Sequence, residues 1–255
     1  MRLSGQPGEV INRDALLPFT WNGVSYTGFE GDTIVSALAA SGVRIFSRSF
    51  KYHRPRGILT ASYVDPNCTL QVDDEPNVRA AHRQLTAGMV VSSQNAWPSL
   101  RYDIKAANQV VGRFLTAGFY YKTFIKPQRL WPAYQQVLKR FASGGRVRRT
   151  DELGYYDKRY AHVDVVVAGA GPAGMAAALA AAQAGASVLL VEEEYDIGGH
   201  LRWGDAEDLA ALRSLRARVT AEPGIEVLVN SVVTGRYDDN WLAVVQRNLP
   251  GVVER

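Results

Sequence analysis

The chain has 255 residues, 47% of them hydrophobic, which suffices for one large or two modest domains with a sizeable core. Its 29 Lys and Arg nearly balance its 25 Asp and Glu, so its charge does not favour a nucleic-acid-binding protein. The single cysteine, Cys68, excludes a disulfide framework within the chain and a four-cysteine iron–sulfur site. We therefore expect a reducing, cytoplasmic setting, and the first residues lack the apolar run of a signal peptide.

A small α+β domain is predicted at the start of the chain. Two apolar stretches, 17–20 and 24–29, flank Asn22-Gly23, a dipeptide that tolerates the positive φ angles of a tight hairpin. Asp32 is then predicted to cap a helix that ends at Gly42. Further strands are predicted around residues 69–72 and 88–92. A hairpin followed by a helix is a typical opening for such a domain.

Two later segments are rich in cations and aromatic residues. Residues 44–57 (RIFSRSFKYHRPRG) predict an exposed connection, because the segment is basic and ends in Pro and Gly. The second segment, residues 118–149, is predicted to be either a surface for a partner or a solvated linker. The linker between the two domains is predicted at residues 143–150. One apolar stripe at helical spacing is predicted to pack on a neighbouring domain or subunit. Its members are Tyr134, Val137, Leu138 and Phe141.

A dinucleotide-binding motif begins near residue 163. An apolar strand (VDVVVA) leads into Gly169-Ala170-Gly171-Pro172-Ala173-Gly174, an alanine-rich helix and a second apolar strand that ends at Glu192. This order predicts the βαβ unit of a Rossmann domain that holds NAD or FAD. Gly169 permits the tight turn, Gly171 lacks the Cβ that would block a pyrophosphate, and Gly174 lets helix and strand pack closely. Short elements broken by glycines also argue against a membrane span here.

The residues after this motif indicate the rest of the site. Glu192 is predicted to accept hydrogen bonds from an adenosine ribose, which disfavours NADP because its 2′-phosphate is repelled. Gly198-Gly199 adds a second flexible turn, followed by His200. The alternative is a degenerate Rossmann domain that binds nothing. One helix, one strand and a hairpin follow, so the domain looks truncated at its C-terminus.

No catalytic or metal-binding group is predicted from these residues. The sequence shows no Ser/His/Asp grouping, no paired metal ligands and no recognisable redox-active motif. The chemistry of the protein must therefore be sought in its cofactor or in its partners.

Several stretches together resemble the alpha subunit of heterotetrameric sarcosine oxidase. They are GDTIVSALAASGV, RSFKYHRPRGI, PNVRAA, SSQNAWPS, the block from GFYYKTF to WPAY, and VDVVVAGAGPAGMAA with EEEYDIGGH. The resemblance implies a β-grasp domain of the 2Fe-2S ferredoxin type without a cluster at 1–107, and an aromatic and basic connection at 108–160. The N-terminal part of a Rossmann-type FAD/NAD(P)-binding domain then occupies 161–255.

In function, the resemblance implies a subunit of an enzyme that demethylates sarcosine to glycine. Oxygen is reduced to hydrogen peroxide, and the one-carbon unit passes to tetrahydrofolate on a domain absent from this chain. NAD is expected in this chain, whereas FAD and FMN are expected in the assembly with beta, gamma and delta subunits. A related opine, proline-type or hydrogen cyanide synthase subunit is the nearest alternative. A noncatalytic NAD-binding module is another.

The resemblance also implies a set of cofactor contacts. Carried over by position, these are Ala173, Glu192, Glu193, Glu194, His200 and Val233. They join Gly169, Ala170, Gly171 and Gly174 of the glycine turn.

Overall fold

The computed structural model describes residues 2–60, 65–110, 112, 118, 126–141, 147 and 157–247. They divide into two compact units. The first contains Met1–Ser4 and Val10–Thr150, and the second contains Gly5–Glu9 and Asp151–Arg255. About half of the predicted connection at 108–160, including all of its predicted linker at 143–150 except residue 147, lies outside the described residues.

The first unit is built on a five-stranded mixed sheet with the strand order β2-β1-β7-β5-β6. Its elements are β1 (Asn12–Trp21), β2 (Val24–Glu30), α1 (Ile34–Ala40), β3 (Ser47–Arg48), β4 (Pro55–Arg56), β5 (Thr69–Val72), β6 (Glu75–Arg79), β7 (Val90–Ser93) and α2 (Trp131–Phe141). The strands predicted at 69–72 and 88–92 correspond to β5 and β7, whereas β6 was not predicted. Helix α1 buries Ile34, Ala37 and Leu38 against the sheet. The predicted α+β unit is confirmed.

The opening hairpin follows from its turn residues. Asn22 and Gly23 have φ angles of 49° and 81°, which a two-residue turn between β1 and β2 requires. Helix α1 begins one residue later than predicted, because Thr33 rather than Asp32 is its N-cap. Thr33 and Ser36 form a reciprocal capping box. The Asp32 carboxylate instead accepts hydrogen bonds from the Phe29 N–H and the Ser36 hydroxyl and pairs with the Arg2 guanidinium.

The basic segment at 44–57 is not the exposed connection that its composition predicts. Strands β3 and β4 pair within it, and His53 is completely buried. The His53 Nδ1 lies 2.7 Å from Asp103 Oδ2, and Arg48 donates to the carbonyl oxygens of His53 and Leu100 at 2.9 and 2.6 Å. The contacts of His53 with Asp103 and of Arg48 with Leu100 join residues that are 50 and 52 positions apart in sequence. His53 and the terminal nitrogens of Arg48 thus find partners inside the fold, whereas Arg44 and Arg54 are exposed, and local composition cannot show this difference.

Helix α2 covers the segment in which the apolar stripe was predicted. Tyr134 and Leu138 are partly buried along it. The side chains of Val137 and Phe141 lie outside the described residues. The packing of this stripe on a neighbour stays a prediction.

The second unit is a three-stranded parallel sheet with a helical layer and a hairpin. Its elements are β8 (Val165–Ala168), α3 (Pro172–Gln183), β9 (Val188–Val191), α4 (Ala206–Ala221), β10 (Ile225–Leu228), β11 (Ser231–Arg236) and β12 (Leu242–Gln246). The sheet has the order β10-β9-β8, which the first three strands of a Rossmann fold adopt. Its core includes Met175, Leu179, Leu190 and Leu212. The predicted Rossmann-type fold is confirmed.

Candidate dinucleotide site

The glycine turn joins β8 to α3 and leaves open space where the pyrophosphate of a dinucleotide would lie. Gly169 has a φ of +100°, which an L side chain rarely adopts. A Cβ on Gly174 would lie 1.8 Å from the Gly169 carbonyl oxygen, so only glycine allows this approach of helix and strand. A Cβ on Gly171, by contrast, would meet no atom within 4 Å. Gly171 therefore borders open space at the N-terminus of α3, where it is the N-cap.

This end of helix α3 suits a negative group. Pro172 occupies the first helical position, and Ala173 is exposed beside it. The first-turn N–H groups of a helix have no acceptor within the helix, and its dipole favours negative charge there. An open glycine N-cap before such a turn is the arrangement that binds a pyrophosphate.

Glu192 connects the second strand to the glycine turn. It follows β9 directly and is buried. One carboxylate oxygen accepts the Ala170 N–H at 2.6 Å, and the other accepts the Glu194 N–H at 2.9 Å. The carboxylate is thus fixed at the edge of the turn, where the sequence predicted a ribose ligand. Each oxygen retains a further lone pair for such a hydroxyl.

The second glycine turn packs directly on the first. The Gly198 N–H donates to the Ala170 carbonyl oxygen at 2.8 Å. Gly199, with a φ of 53°, approaches so closely that a Cβ would lie 3.0 Å from the Gly171 Cα. His200 comes next and is exposed on the 3-10 turn Gly199–Trp203. The structure therefore brings together both glycine turns, Glu192 and the backbone at His200.

The remaining predicted contacts have different surroundings. Glu193 is partly buried, and Val233 is partly buried on β11, where it pairs with Val244. The β11 strand starts beside the acidic segment, because the Ser231 N–H donates to the Glu192 carbonyl oxygen at 2.8 Å. No described contact joins Val233 to the glycine turn itself.

Glu194 is buried and ion-paired with Arg202, a residue that sequence reasoning missed. Burial raises the pKa of Glu194 to about 7, although the Arg202 charge opposes the increase. The guanidinium of Arg202 also lies over the Tyr195 ring, with Cζ 4.5 Å from the ring centroid. The only sequence signal for this pair was an arginine eight residues after the glutamate. A separation of eight residues across irregular structure does not by itself predict that two side chains are in contact.

Two domain families match the chain. Residues 14–96 match a 2Fe-2S iron-sulfur cluster binding domain, and residues 164–241 match an FAD binding domain. The second match begins just before β8 and includes every predicted cofactor contact. The predicted order of the two domains is thereby confirmed.

Two homologous proteins match nearly the whole chain. "Sarcosine oxidase subunit alpha" of Rhizobium meliloti (strain 1021) is 44% identical over 248 residues, covering 93% of this chain and 25% of the relative. The same-named protein of Corynebacterium sp. (strain P-1) is 30% identical over 94% of this chain and 21% of its own length. The chain is homologous to the alpha subunit of sarcosine oxidase. It spans about a quarter of the length of these relatives.

Two further similarities concern the fold. The crystal structure of L-proline dehydrogenase from P. horikoshii, at 18% identity, superposes with a TM-score of 0.55 over 92% of this chain and 38% of that chain. "Thiamine thiazole synthase" of Aeropyrum pernix is 40% identical over 88 residues, which are 33% of this chain and 32% of the relative. The superposition on the solved structure supports the assigned fold class.

The residues of the first unit do not fit a 2Fe-2S cluster, despite the name of the matching domain. The chain has one cysteine, and such a cluster takes four thiolates. The Cys68 Sγ donates to the Gly57 carbonyl oxygen at 3.2 Å, and burial raises the pKa of its thiol to about 12. Within the described part of the chain, no group of three or more His, Cys, Asp or Glu side chains could hold a metal.

A carboxylate organises the loop that follows Gly57. The Asp65 side chain accepts the N–H groups of Leu59, Thr60 and Asn67 at 2.7, 3.1 and 2.8 Å. Asp65 is itself buried. These donors therefore have an acceptor supplied by the chain.

Across the described ranges, no helix is long and apolar enough to cross a membrane.

Proposed function

We propose that the chain is part of the alpha subunit of a sarcosine oxidase and that its second unit holds NAD. The observation that carries the binding proposal is the open space at Gly171, bordered by the Gly198-Gly199 turn and the Glu192 carboxylate. The pyrophosphate would lie on the N-terminus of α3, and Glu192 would accept from the adenosine ribose. The Glu192 carboxylate would repel the 2′-phosphate of NADP, which favours NAD.

The rest of the proposed cofactor set follows from the homology. Glu193, His200 and Val233 are proposed as further NAD contacts, beside the backbone of Ala173 in the glycine turn. FAD and FMN would belong to the assembly with beta, gamma and delta subunits, which would oxidise the methylamine of sarcosine with oxygen. Tetrahydrofolate would take the one-carbon unit elsewhere. We propose a cytoplasmic location because the lone thiol indicates no oxidising compartment.

FAD is the second candidate for the second unit. The match of residues 164–241 to an FAD binding domain favours it. The glycine turn and Glu192 recognise the ADP half, which NAD and FAD share, so neither feature distinguishes them. Our choice of NAD rests on the resemblance to the sarcosine oxidase alpha subunit.

Calorimetric titration with NAD, FAD and NADP tests the binding proposal. Gly171→Val should abolish NAD binding, because its side chain would fill the pyrophosphate space. Ala177→Val, on an exposed position of α3, is the matched control and should bind normally. Equal binding by wild type and Gly171→Val would contradict the proposed site. If the wild type binds FAD but not NAD, the cofactor of the second unit is FAD.

The catalytic proposal is tested by sarcosine-dependent release of hydrogen peroxide. The isolated chain should show no turnover, because a flavin must face the substrate amine and the one nucleotide motif of the chain is assigned to NAD. Addition of a beta subunit with flavins is the comparison. Turnover by the chain alone would refute the assignment of catalysis to the partners. Activity with opines or proline in place of sarcosine would favour a related dehydrogenase.

A further inference from the structure

A buried ion pair lies beside the two glycine turns. Arg202, on the 3-10 turn after Gly199, donates to the Glu194 carboxylate. The side chains of Glu194 and Arg202 are only 6% and 8% exposed, and the guanidinium covers the Tyr195 ring. Water therefore screens this pair little. The other charged groups that act on Glu194 are the carboxylates of Glu192, Glu193 and Asp196.

The Arg202 stem contacts the second glycine turn. A Cβ on Gly198 would lie 3.0 Å from the Arg202 Cγ, so the arginine packs against this glycine. The Gly198 N–H in turn donates to the Ala170 carbonyl oxygen within the first glycine turn. A chain of contacts thus runs from Glu194 through Arg202 and Gly198 to Ala170.

A second arginine holds the opposite end of the same segment. Arg216, on α4, donates to the Asp196 carboxylate at 2.5 Å and to the Ile197 carbonyl oxygen at 2.5 and 3.1 Å. The path from Glu194 to Gly198 is therefore fixed at both ends. Arg202 also lies near Asp196, with Nε 3.9 Å from Oδ2, and Gly198 packs on both Arg202 and Leu212.

We propose that Glu194 and Arg202 form a clamp that positions the Gly198-Gly199 turn against Gly171, and that Glu194 is a positioning residue rather than a ligand of the dinucleotide. This inference rests on the proposed function. Only 6% of the Glu194 side chain is exposed, and a ligand that drew its carboxylate away from Arg202 would leave a buried guanidinium unpaired, which is costly. Replacing one buried partner likewise leaves the other uncompensated. The two residues should therefore act on binding as one unit.

A double-mutant cycle on NAD affinity in the full chain tests this proposal. Arg202→Met and Glu194→Gln should each weaken binding about tenfold, and the double variant should bind no more weakly than either single one, because residues that act as a unit are not additive. Arg202→Lys should recover part of the affinity. Arg213→Met, exposed on α4, is the matched control and should bind like wild type. Losses that multiply to about a hundredfold in the double variant would show Glu194 to be a ligand and overturn the clamp.

Hydrogen exchange of the Gly198 amide in the unliganded chain gives an independent readout. Arg202→Met should accelerate this exchange, because the bond from the Gly198 N–H to Ala170 loses its support, while Arg213→Met should not. Exchange that stays unchanged in Arg202→Met would overturn the clamp even if the wild type binds NAD. A wild type that binds no dinucleotide would refute the proposed function, and the exchange rates would still decide on the clamp.

Discussion

The loop after Gly57 and the turn at Gly169 both gather backbone N–H groups, but the first has a carboxylate of the chain as acceptor, whereas the second borders open space at Gly171. In the first unit, the buried Asp65 carboxylate accepts three of these N–H groups. In the second unit, Glu192 accepts only the Ala170 N–H of the turn, and the position of a Gly171 Cβ faces open space. One chain can thus satisfy the N–H groups of one loop with its own carboxylate and leave open space beside another turn.

The two regions also differ in the residues that determine their chemistry, which are a glycine in the turn and a cysteine in the loop. Gly174 is required because the Gly169 carbonyl oxygen is too close for any Cβ, so a glycine holds the helix against the strand at the open turn. Cys68 is protonated and hydrogen-bonded to a carbonyl, so the closed loop offers no thiolate. A family name that mentions a cluster therefore describes the shape of the first unit, whereas the chemistry depends on residues that this chain lacks.

The largest effect is expected from Gly174→Ala in the open turn. Its Cβ would lie 1.8 Å from the Gly169 carbonyl oxygen, so helix α3 must move away from β8. We expect a loss of about 4 kcal/mol in the free energy of unfolding, together with loss of dinucleotide binding. Urea unfolding measures the first effect. Gly171→Ala is the control and should change stability by less than about 0.5 kcal/mol, and an equal loss in both variants would contradict this difference between the two glycines.

Local chemistry allowed much of this architecture to be predicted, but not the contacts between distant segments. Asn22-Gly23 and the Gly169 turn are short motifs whose residues set their own geometry, and both are where the sequence predicted them. The cap at Thr33 was missed by one residue because Asp32 is an equally good capping type. The pairs His53 with Asp103 and Glu194 with Arg202 are tertiary, and no periodic pattern records them.

The next largest effect is expected where the chain closes its own loop. Asp65→Ala removes the acceptor of three N–H groups and should lower the free energy of unfolding by about 3 kcal/mol, because three hydrogen bonds to a buried carboxylate are lost. Asp65→Asn should cost less, since its amide oxygen still accepts. Exposed Asp14→Asn is the matched control. Iron and sulfide analysis of these variants should find no cluster, and a stability unchanged by Asp65→Ala would contradict the role given to this carboxylate.

In the second unit, Glu194 should make the free energy of unfolding depend on pH. Burial raises the pKa of Glu194 in the folded state to about 7, above the usual value of 4.5, so between these pH values the folded state holds a proton that the unfolded state has released. The contribution of this group to stability is therefore greatest below pH 4.5 and is lost as pH rises to about 7, with a slope of up to about 1.4 kcal/mol per pH unit. The free energy of unfolding of wild type should therefore fall relative to that of Glu194→Gln as pH rises from about 4.5 to 7, because the glutamine does not titrate, whatever constant cost the unpaired Arg202 adds to the variant. Chemical denaturation across this range measures the difference, and a constant difference would show an unshifted carboxyl.

The smallest energetic effect is expected at Cys68 in the closed loop. Cys68→Ser keeps a donor toward the Gly57 carbonyl oxygen and should lower the free energy of unfolding by about 1 kcal/mol, because a buried sulfur is replaced by a smaller polar atom. The native thiol should react with a disulfide reagent at pH 8 far more slowly than the thiol of the urea-unfolded chain. Its pKa of about 12 leaves roughly one thiolate in ten thousand at that pH, compared with about one in four for an ordinary cysteine. Purification under anaerobic conditions should yield neither iron nor sulfide from wild type or variant. Rapid modification of the folded chain, or stoichiometric iron that Cys68→Ser removes, would show that the loop still presents a thiolate and that the two regions are more alike than their hydrogen bonds indicate.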